Sequence, residues 1–388
     1  MHESLRWRGC KSKKRDAGIA LDGDDHDQPQ SRQPKDQGLL TAMYANRTPT
    51  SASSAATRMR RAAAAMFLAL LGLGSNATEV SPGAQPRQSR EDAWWTGPIL
   101  AAGAGTLPKG HFLVEPYLFD VITANRYDDN GTRRSVATSE FFGSQTYLLY
   151  GLADKFTVGL IPRFGFSDPN SGSSSSGVGV GDLSLQAQYR LTQFEEGSWV
   201  PTTSFVFSET LPVGKYDKLG DRPSDGFGSG AYMTTAALYS QYYFWMPNGR
   251  ILRTRLNFAW SFSDDARVED VSVYGTRAGF RGKASPGNSF NVNSSWEYSV
   301  TRNWVLALDI VYQRDGDTRV RGREPDPVNE GTRTVDGHSG SSWQFQLAPA
   351  IEYNWTANVG VIVGARWIAG GRNTGASITP VAAINLVY

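Results

Sequence analysis

From His111 onward the chain repeats one unit: about ten residues in which apolar and polar positions alternate, a connection, then another such segment. Residues 156–166 put Phe156, Val158, Leu160, Pro162, Phe164 and Phe166 on one face, with Thr157, Gly159, Arg163 and Gly165 on the other. Residues 183–192 set Leu183, Leu185, Ala187, Tyr189 and Leu191 against Ser184, Gln186, Gln188 and Arg190. Successive side chains of a strand point to opposite faces, so a period of two over this length predicts β-strands. Twelve are expected, near 111–121, 141–150, 156–166, 181–193, 199–212, 231–245, 250–263, 288–300, 303–314, 342–355, 358–369 and 376–388.

The connections alternate as well. Short turns at 151–155, 194–198, 246–249, 301–302 and 356–357 are interleaved with polar connections at 122–140, 167–180, 213–230, 264–287 and 315–341, and a shorter one at 370–375. Turns at one end and long loops at the other are the asymmetry of a membrane β-barrel, with the turns periplasmic and the loops external. A soluble barrel also alternates, so further features must decide. The strand number is even, as in single-chain bacterial outer-membrane barrels. Trp245, Trp260, Trp304, Trp343, Tyr353, Trp355, Trp367 and Tyr388 fall at strand ends, where interfacial aromatic girdles belong. The last strand ends on Tyr388, with Leu386, Ile384 and Ala382 on one face. Hydrocarbon cannot satisfy an open strand edge, so the sheet must close. The expected fold class is all-β: an antiparallel transmembrane β-barrel of about 12 strands in the outer membrane of a Gram-negative bacterium.

The Gly-rich stretch 177–181 (GVGVG) invites comparison with a phosphate-binding loop, which must lead into a helix whose N-terminus holds the phosphate. Here it leads into the period-two segment LSLQAQYRL. It is expected to mark where the fourth strand enters the wall from an external Ser/Gly loop, placing Gln186, Gln188 and Arg190 on the inner face.

Upstream of the repeat, the apolar run 62–74 is too short to span a membrane as a helix, for which about 20 residues are needed. It follows Met59, Arg60 and Arg61 and precedes Ser75, Asn76 and Ala77, the basic, apolar and small-residue regions of a secretory signal peptide. Residues 59–77 are therefore expected to be a signal peptide, 1–58 a disordered leader or a mis-called start with translation from Met59, 78–110 an N-terminal periplasmic segment, and 111–388 the barrel. Of 39 basic and 37 acidic residues, 1–77 carry twelve and seven, so the remainder is three charges negative and offers no basic patch for nucleic acid. Cys10 is the single cysteine, which leaves the exported part without disulfides or Cys-based metal sites.

Several stretches together carry a family resemblance: TLPKGHFLVEPYLF (106–119), GVGVGDLSLQAQYRL (177–191), ETLPVGKYDKL (209–219), YFWMPNGRILRTRLN (243–257), TRNWVLALDIVY (301–312) and SITPVAAINLVY (377–388). In this order, over roughly 94–388, the chain resembles the outer-membrane transporter-like β-barrel family labelled for the meta-pathway of phenol degradation. The resemblance implies an outer-membrane barrel associated with uptake of small, often aromatic, compounds. The terminal Tyr388, with Leu386 and Ile384, resembles the signal by which such barrels are handed to the barrel-insertion machinery.

The polar strand faces are the best candidates for function. Parity turns Glu115, Arg163, Arg190, Arg253, Arg255, Glu297, Asp309, Glu352 and Arg366 away from lipid, where a charge would cost about 2–4 kcal/mol at the midplane. Together with Gln186 and Gln188 they are expected to line the lumen, either of a conduit or of a salt-bridged plug. Arg253 and Arg255 on one strand read as a basic stripe that would favour anionic solutes. Twelve strands lie between the filled interior of eight and the wide channel of sixteen, consistent with a narrow pore. The expected function is passive diffusion of small solutes, aromatic or anionic, with no cofactor, metal or catalytic step. Its partners would be those solutes, outer-membrane lipid and lipopolysaccharide. The alternatives are a structural or adhesion barrel with a plugged lumen and an outer-membrane lipid hydrolase. For the last, His338 beside Ser339 and Ser341 is the only candidate constellation, and it lacks the His-x-Ser spacing. Acidic clusters at Asp264, Asp265, Glu269 and Asp270 and at Glu324, Asp326 and Glu330 match no calcium-loop spacing and read as solvated loop charge or as bridges to surface lipopolysaccharide through divalent ions.

Overall fold

The computed structural model describes residues 87–326 and 330–388. The expected leader and signal peptide lie outside the described residues. The strands are β1 (Phe112–Tyr127), β2 (Arg133–Ala153), β3 (Phe156–Ile161), β4 (Arg163–Asp168), β5 (Gly179–Val180), β6 (Leu183–Thr192), β7 (Thr202–Leu211), β8 (Met233–Trp245), β9 (Ile251–Ser263), β10 (Ala266–Glu269), β11 (Arg281–Ser285), β12 (Ser289–Ser299), β13 (Trp304–Asp315), β14 (Arg319–Pro325), β15 (Thr332–His338), β16 (Ser342–Asn354), β17 (Val359–Arg372) and β18 (Thr374–Val387). Two barrel staves are each split in two: β3 and β4 by Pro162, which lacks the ladder N–H, and β5 and β6 by Gly181–Asp182. Counting each pair as one stave, twelve antiparallel strands close into a barrel, with β1 paired to both β2 and β18. At the seam, the backbones of Phe112 and Tyr388 exchange hydrogen bonds of 3.0 and 2.8 Å.

Alternation sorts the wall as parity requires. Leu118, Phe142, Leu185, Phe205, Phe207, Leu256, Val363 and Ile384 face outward and are exposed, while their neighbours Tyr117, Ser184, Val206, Arg255, Ile362 and Ala383 face inward and are buried. The outward aromatics form two rims. Trp304, Tyr353 and Trp355 meet at the turn end, tilted and edge to face with centroids 4.6 and 5.3 Å apart, and Trp260 meets Phe290 at 4.5 Å at the loop end. Trp304 and Tyr312 on β13 are eight residues apart, about 27 Å along the strand and about 20 Å across a membrane at a tilt near 40°. That is close to the height of an outer-membrane apolar band. Trp245 departs from the expected girdle: it faces inward, donating from Nε1 to Gln88 O at 2.9 Å.

The turn end is built from short capped hairpins. Thr301 and Thr356 each accept from the amide three residues on, Trp304 and Val359, at 3.0 Å. The loop end is more ordered than the sequence implied. The expected loop 122–140 is mostly strand: β1 and β2 extend to a five-residue turn in which the Asp128 carboxylate accepts from Asn130 N at 3.0 Å and Thr132 N at 2.9 Å. The apolar period had faded there because β2, at 21 residues, runs far beyond the 9–11 that lipid requires. The connection 370–375 is likewise strand on both sides of Asn373, which turns at φ 51°. Connections 264–287 and 315–341 together form a second sheet, β10-β11-β14-β15, over a core of Ala266, Val268, Tyr274, Phe280, Ala284 and Val320. The loop 213–230 folds back on the mouth, where a Cβ at Gly179 would lie 2.0 Å from the Phe227 ring. That close approach explains one glycine of the GVGVG stretch.

Candidate functional site: the barrel lumen

The lumen is crossed by the chain's own N-terminal segment. Residues 93–106 (AWWTGPILAAGAGT) carry no charge and consist largely of small residues, so they can thread a narrow interior. The expectation of a periplasmic segment at 78–110 is corrected for this part: Ala93, Thr96, Ile99, Ala101 and Ala104 are buried inside the wall. Both ends of the strap are tied to the turn end. Gln88 N bonds Gly249 O at 3.0 Å and Trp94 N bonds Arg302 O at 3.1 Å, while Lys109 N bonds Asp154 Oδ1 at 3.0 Å.

A strap without regular structure must find partners for its peptide groups elsewhere. The inner wall supplies them from strands around the barrel. Glu352 Oε2 accepts from Thr96 N at 2.8 Å and Gly97 N at 3.1 Å. Asp309 accepts from Leu100 N at 3.0 Å and Ala101 N at 3.1 Å, one on each oxygen. Arg255 donates to Ala101 O at 2.7 Å and Asn257 to Ala102 O at 2.9 Å. Gln188 Nε2 reaches Gly103 O and Gly105 O at 3.1 and 3.0 Å, and Ser204 Oγ donates to Ala104 O at 2.5 Å. Arg253 lies over the Trp95 ring, 4.4 Å from its centroid.

Room for the strap comes from small residues on one side of the wall. Ile99 packs against Ala307, Ala348, Ala350, Ile362 and Ala383. A Cβ on Gly360 would meet Thr96 Oγ1 at 2.1 Å, and one on Gly364 would meet Ile99 Cδ1 at 2.7 Å. Gly97 itself turns at φ +118°, a conformation glycine adopts without strain.

The charges form a hub. Glu297 on β12, directly opposite Arg253 in the ladder, accepts from Arg253 Nε at 2.8 Å, has a second contact from its Nη2, and lies 3.0 Å from Arg255 Nε. The expected basic stripe is therefore corrected: Glu297 is shared between the two guanidinium groups, and Asp309 and Glu352 stand on nearby strands. The remaining candidates lie elsewhere on the wall. Arg163 bonds Gln145 and Ser184, both at 2.9 Å. Glu115 accepts from Asn385 at 3.3 Å, and Arg366 donates to Thr379 at 3.3 Å. Gln186 and Arg190 are half-buried on inward positions, away from the strap.

Beside the strap the wall also carries polar atoms without protein partners. Asn257 Oδ1, Asn293 Oδ1 and Ser295 Oγ, on adjoining strands β9 and β12, are buried with no protein partner among the described residues. They lie on the inner face at the level of the strap contacts, Asn257 itself bonding Ala102 O and Ser295 opposite Arg255 in the ladder, and are suited to water or a polar solute. Inward aromatics that sequence parity had not singled out line the same lumen: Tyr117 and Tyr147, edge to face at 5.8 Å and packed with Ile99 of the strap, and Phe119, Phe141 and Phe227 in a chain of 6.3 Å contacts. His338 meets no serine nucleophile. Its Nδ1 is 2.5 Å from Asp317 Oδ2, its Nε2 faces Asp336 at 3.7 Å, and Ser339 Oγ donates to Gly340 O.

The sequence matches the model of the family described as "Putative MetA-pathway of phenol degradation" over residues 120–379. The chain belongs to that family. Among solved structures, an outer-membrane channel of Pseudomonas putida F1 aligns with 74% of this chain and 98% of its own at 15% identity, with a TM-score of 0.56. More distant barrels include the toluene transporter TodX of Pseudomonas putida (78% and 96% covered, 12% identity, TM-score 0.35) and the β domain of the Bordetella autotransporter BrkA (72% and 100%, 9%, 0.39). No curated protein matches the chain. The fold is that of an outer-membrane β-barrel.

Proposed function

We propose that the protein is an outer-membrane channel for passive movement of small solutes, aromatic compounds foremost, with the conduit closed by the strap 93–106 in the conformation described. The observation that carries the reading is a lumen in which a strap held by side-chain hydrogen bonds, the Ile99 packing and the Arg253–Trp95 contact lies beside polar wall atoms without protein partners, Asn293 Oδ1 and Ser295 Oγ, and beside an aromatic lining. Aromatic faces suit flat apolar solutes, and the paired charges of the hub give no bias towards anions. The family's association with phenol degradation and the channel assignment of the Pseudomonas putida F1 neighbour support the same reading. The density of strap contacts favours a second reading, a permanently plugged structural barrel.

Planar-bilayer recording separates the two. Thr96 and Asn354, whose side chains bond at 2.9 Å, are replaced by cysteines on a Cys10→Ser background to tether the strap. A channel gated by the strap conducts when the pair is reduced and falls silent when it is oxidised. Silence in both states, with conductance appearing only when 93–106 is deleted, would establish the plugged barrel instead.

A further inference from the structure

The sheet outside the membrane carries chemistry unrelated to the lumen. One face of β10-β11-β14-β15 is buried on Ala266, Val268, Ala284 and Val320, with Tyr216 of the neighbouring loop packed against that core. The opposite face is exposed and basic. Ladder register sets Arg267 directly opposite Lys283, Lys283 opposite Arg321, and Arg281 opposite Arg323. Directly opposed like charges disfavour an antiparallel pairing, and a solvated sheet ordinarily intersperses the two signs.

Three acids, Asp265, Glu269 and Asp336, share the face and are outnumbered by its cations; Glu269 stands opposite Arg281 and Asp336 opposite Arg321 in the ladder. Glu269 is held by Lys218 at 2.9 Å and Asp336 by Arg319 at 2.5 Å, while Asp265 stands 3.7 Å from Lys283. Asp336 also lies 3.6 Å from Arg321. Among the described residues no side-chain hydrogen bond or ion pair holds Arg267, Arg281 or Arg323. Five cations thus stand on one flat face, spaced across three strands at about 4.8 Å per strand.

We propose that this face receives the phosphate groups of lipopolysaccharide. Guanidinium presents a planar fork to phosphate oxygens, and several on a flat grid match a surface bearing several phosphates better than a single small anion, which would call for a concave site. Position agrees. β10 begins three residues beyond the end of β9, and β14 four beyond the end of β13, so the face rises directly from the external rim marked by Trp260 and Tyr312. That is where the outer leaflet presents its headgroups. Bound phosphate would also relieve the like-charge register that the sheet otherwise tolerates.

The test uses the full barrel in detergent micelles and measures binding of purified lipopolysaccharide, the same material enzymatically dephosphorylated, and inorganic phosphate as competitor. The comparison is between wild type and the triple variant Arg267→Gln, Lys283→Gln, Arg321→Gln, with Arg222→Gln, Arg277→Gln as a control of external charge elsewhere. The triple variant should bind phosphorylated lipopolysaccharide at least tenfold more weakly, the control should match wild type, and wild type should lose the same tenfold on dephosphorylated material. Equal binding by wild type and triple variant overturns the proposal. So does competition by inorganic phosphate at concentrations as low as lipopolysaccharide itself, which would make this a small-anion site. If the triple variant fails to fold, the wild-type comparison decides alone: affinity indifferent to dephosphorylation refutes it.

Discussion

Asp309 is the side chain on which strap closure can be tested most directly. It is fully buried, and its two oxygens accept from consecutive amides of the strap, Leu100 N and Ala101 N. Asp309→Ala removes both acceptors and leaves two buried amides to find water. Hydrogen bonds to a charged group contribute roughly 1.5–3 kcal/mol each, and because the freed amides hydrate once the strap shifts, about 2–4 kcal/mol for the pair is expected. At 1.4 kcal/mol per tenfold, displacement of the strap around residue 101 becomes about 30- to 700-fold more populated. The other anchors, Glu352, Gln188 and Ser204, stay in place, so the barrel and the ends of the strap should remain. The assay is maleimide labelling of Ala101→Cys on a Cys10→Ser background. Ala101 is only 3% exposed, so labelling reports displacement. Asp309→Asn, which keeps one acceptor, should fall between. A labelling rate within threefold of the parent would refute the idea that these two bonds hold the strap.

Three further outcomes follow from the same geometry. Glu297→Ala strips Arg253 and Arg255 of their shared counter-charge, and breaking a buried pair in this way should cost about 3–5 kcal/mol in urea unfolding of the barrel in micelles. Deleting Tyr388 removes the last paired residue of the β1–β18 seam and should lower the yield of heat-modifiable barrel in the outer membrane. In the external sheet, the hydrogen bond from Arg319 holds the Asp336 carboxylate below its ordinary range. A depressed carboxylate stabilises the fold above its unfolded pKa, about 3.9, and that contribution is lost as pH falls through the lowered folded value. Amide exchange in 319–338 should therefore quicken below about pH 4, and Asp336→Asn should flatten that dependence.

The wall was legible in the sequence because lipid imposes a strict code: one apolar residue in two, for as long as hydrocarbon lasts. Where lipid ends the code ends, and there the reading failed. Residues 122–127 and 133–140 are strand, yet their polar composition read as loop. Val268, Phe280 and Val320 make a separate core, but Val268 and Val320 sit in strands of four and seven residues and Phe280 in the connection just before β11, too short to show a period. Trp245 ends a strand, as a girdle residue should, but parity with Gln241 and Tyr243 turns it inward onto Gln88.

The strap posed a different difficulty. An inward Asp, Glu, Arg or Gln satisfies a peptide group as readily as it satisfies water, so Asp309, Glu352, Arg255 and Gln188 look alike in an open and a threaded lumen. Two other signals distinguish them. Residues 93–106 carry no charge, which suits a peptide threaded through protein and not a solvated linker. The inward positions of β13, β16, β17 and β18 include Ala307, Ala348, Ala350, Gly360, Gly364 and Ala383, a side of the wall too small to fill its own share of a twelve-stranded interior. Protein interiors do not tolerate such a deficit unfilled. Small residues in period two on neighbouring strands, facing buried charges across the barrel and preceded by an uncharged small-residue stretch, are together the sequence mark of an internal strap.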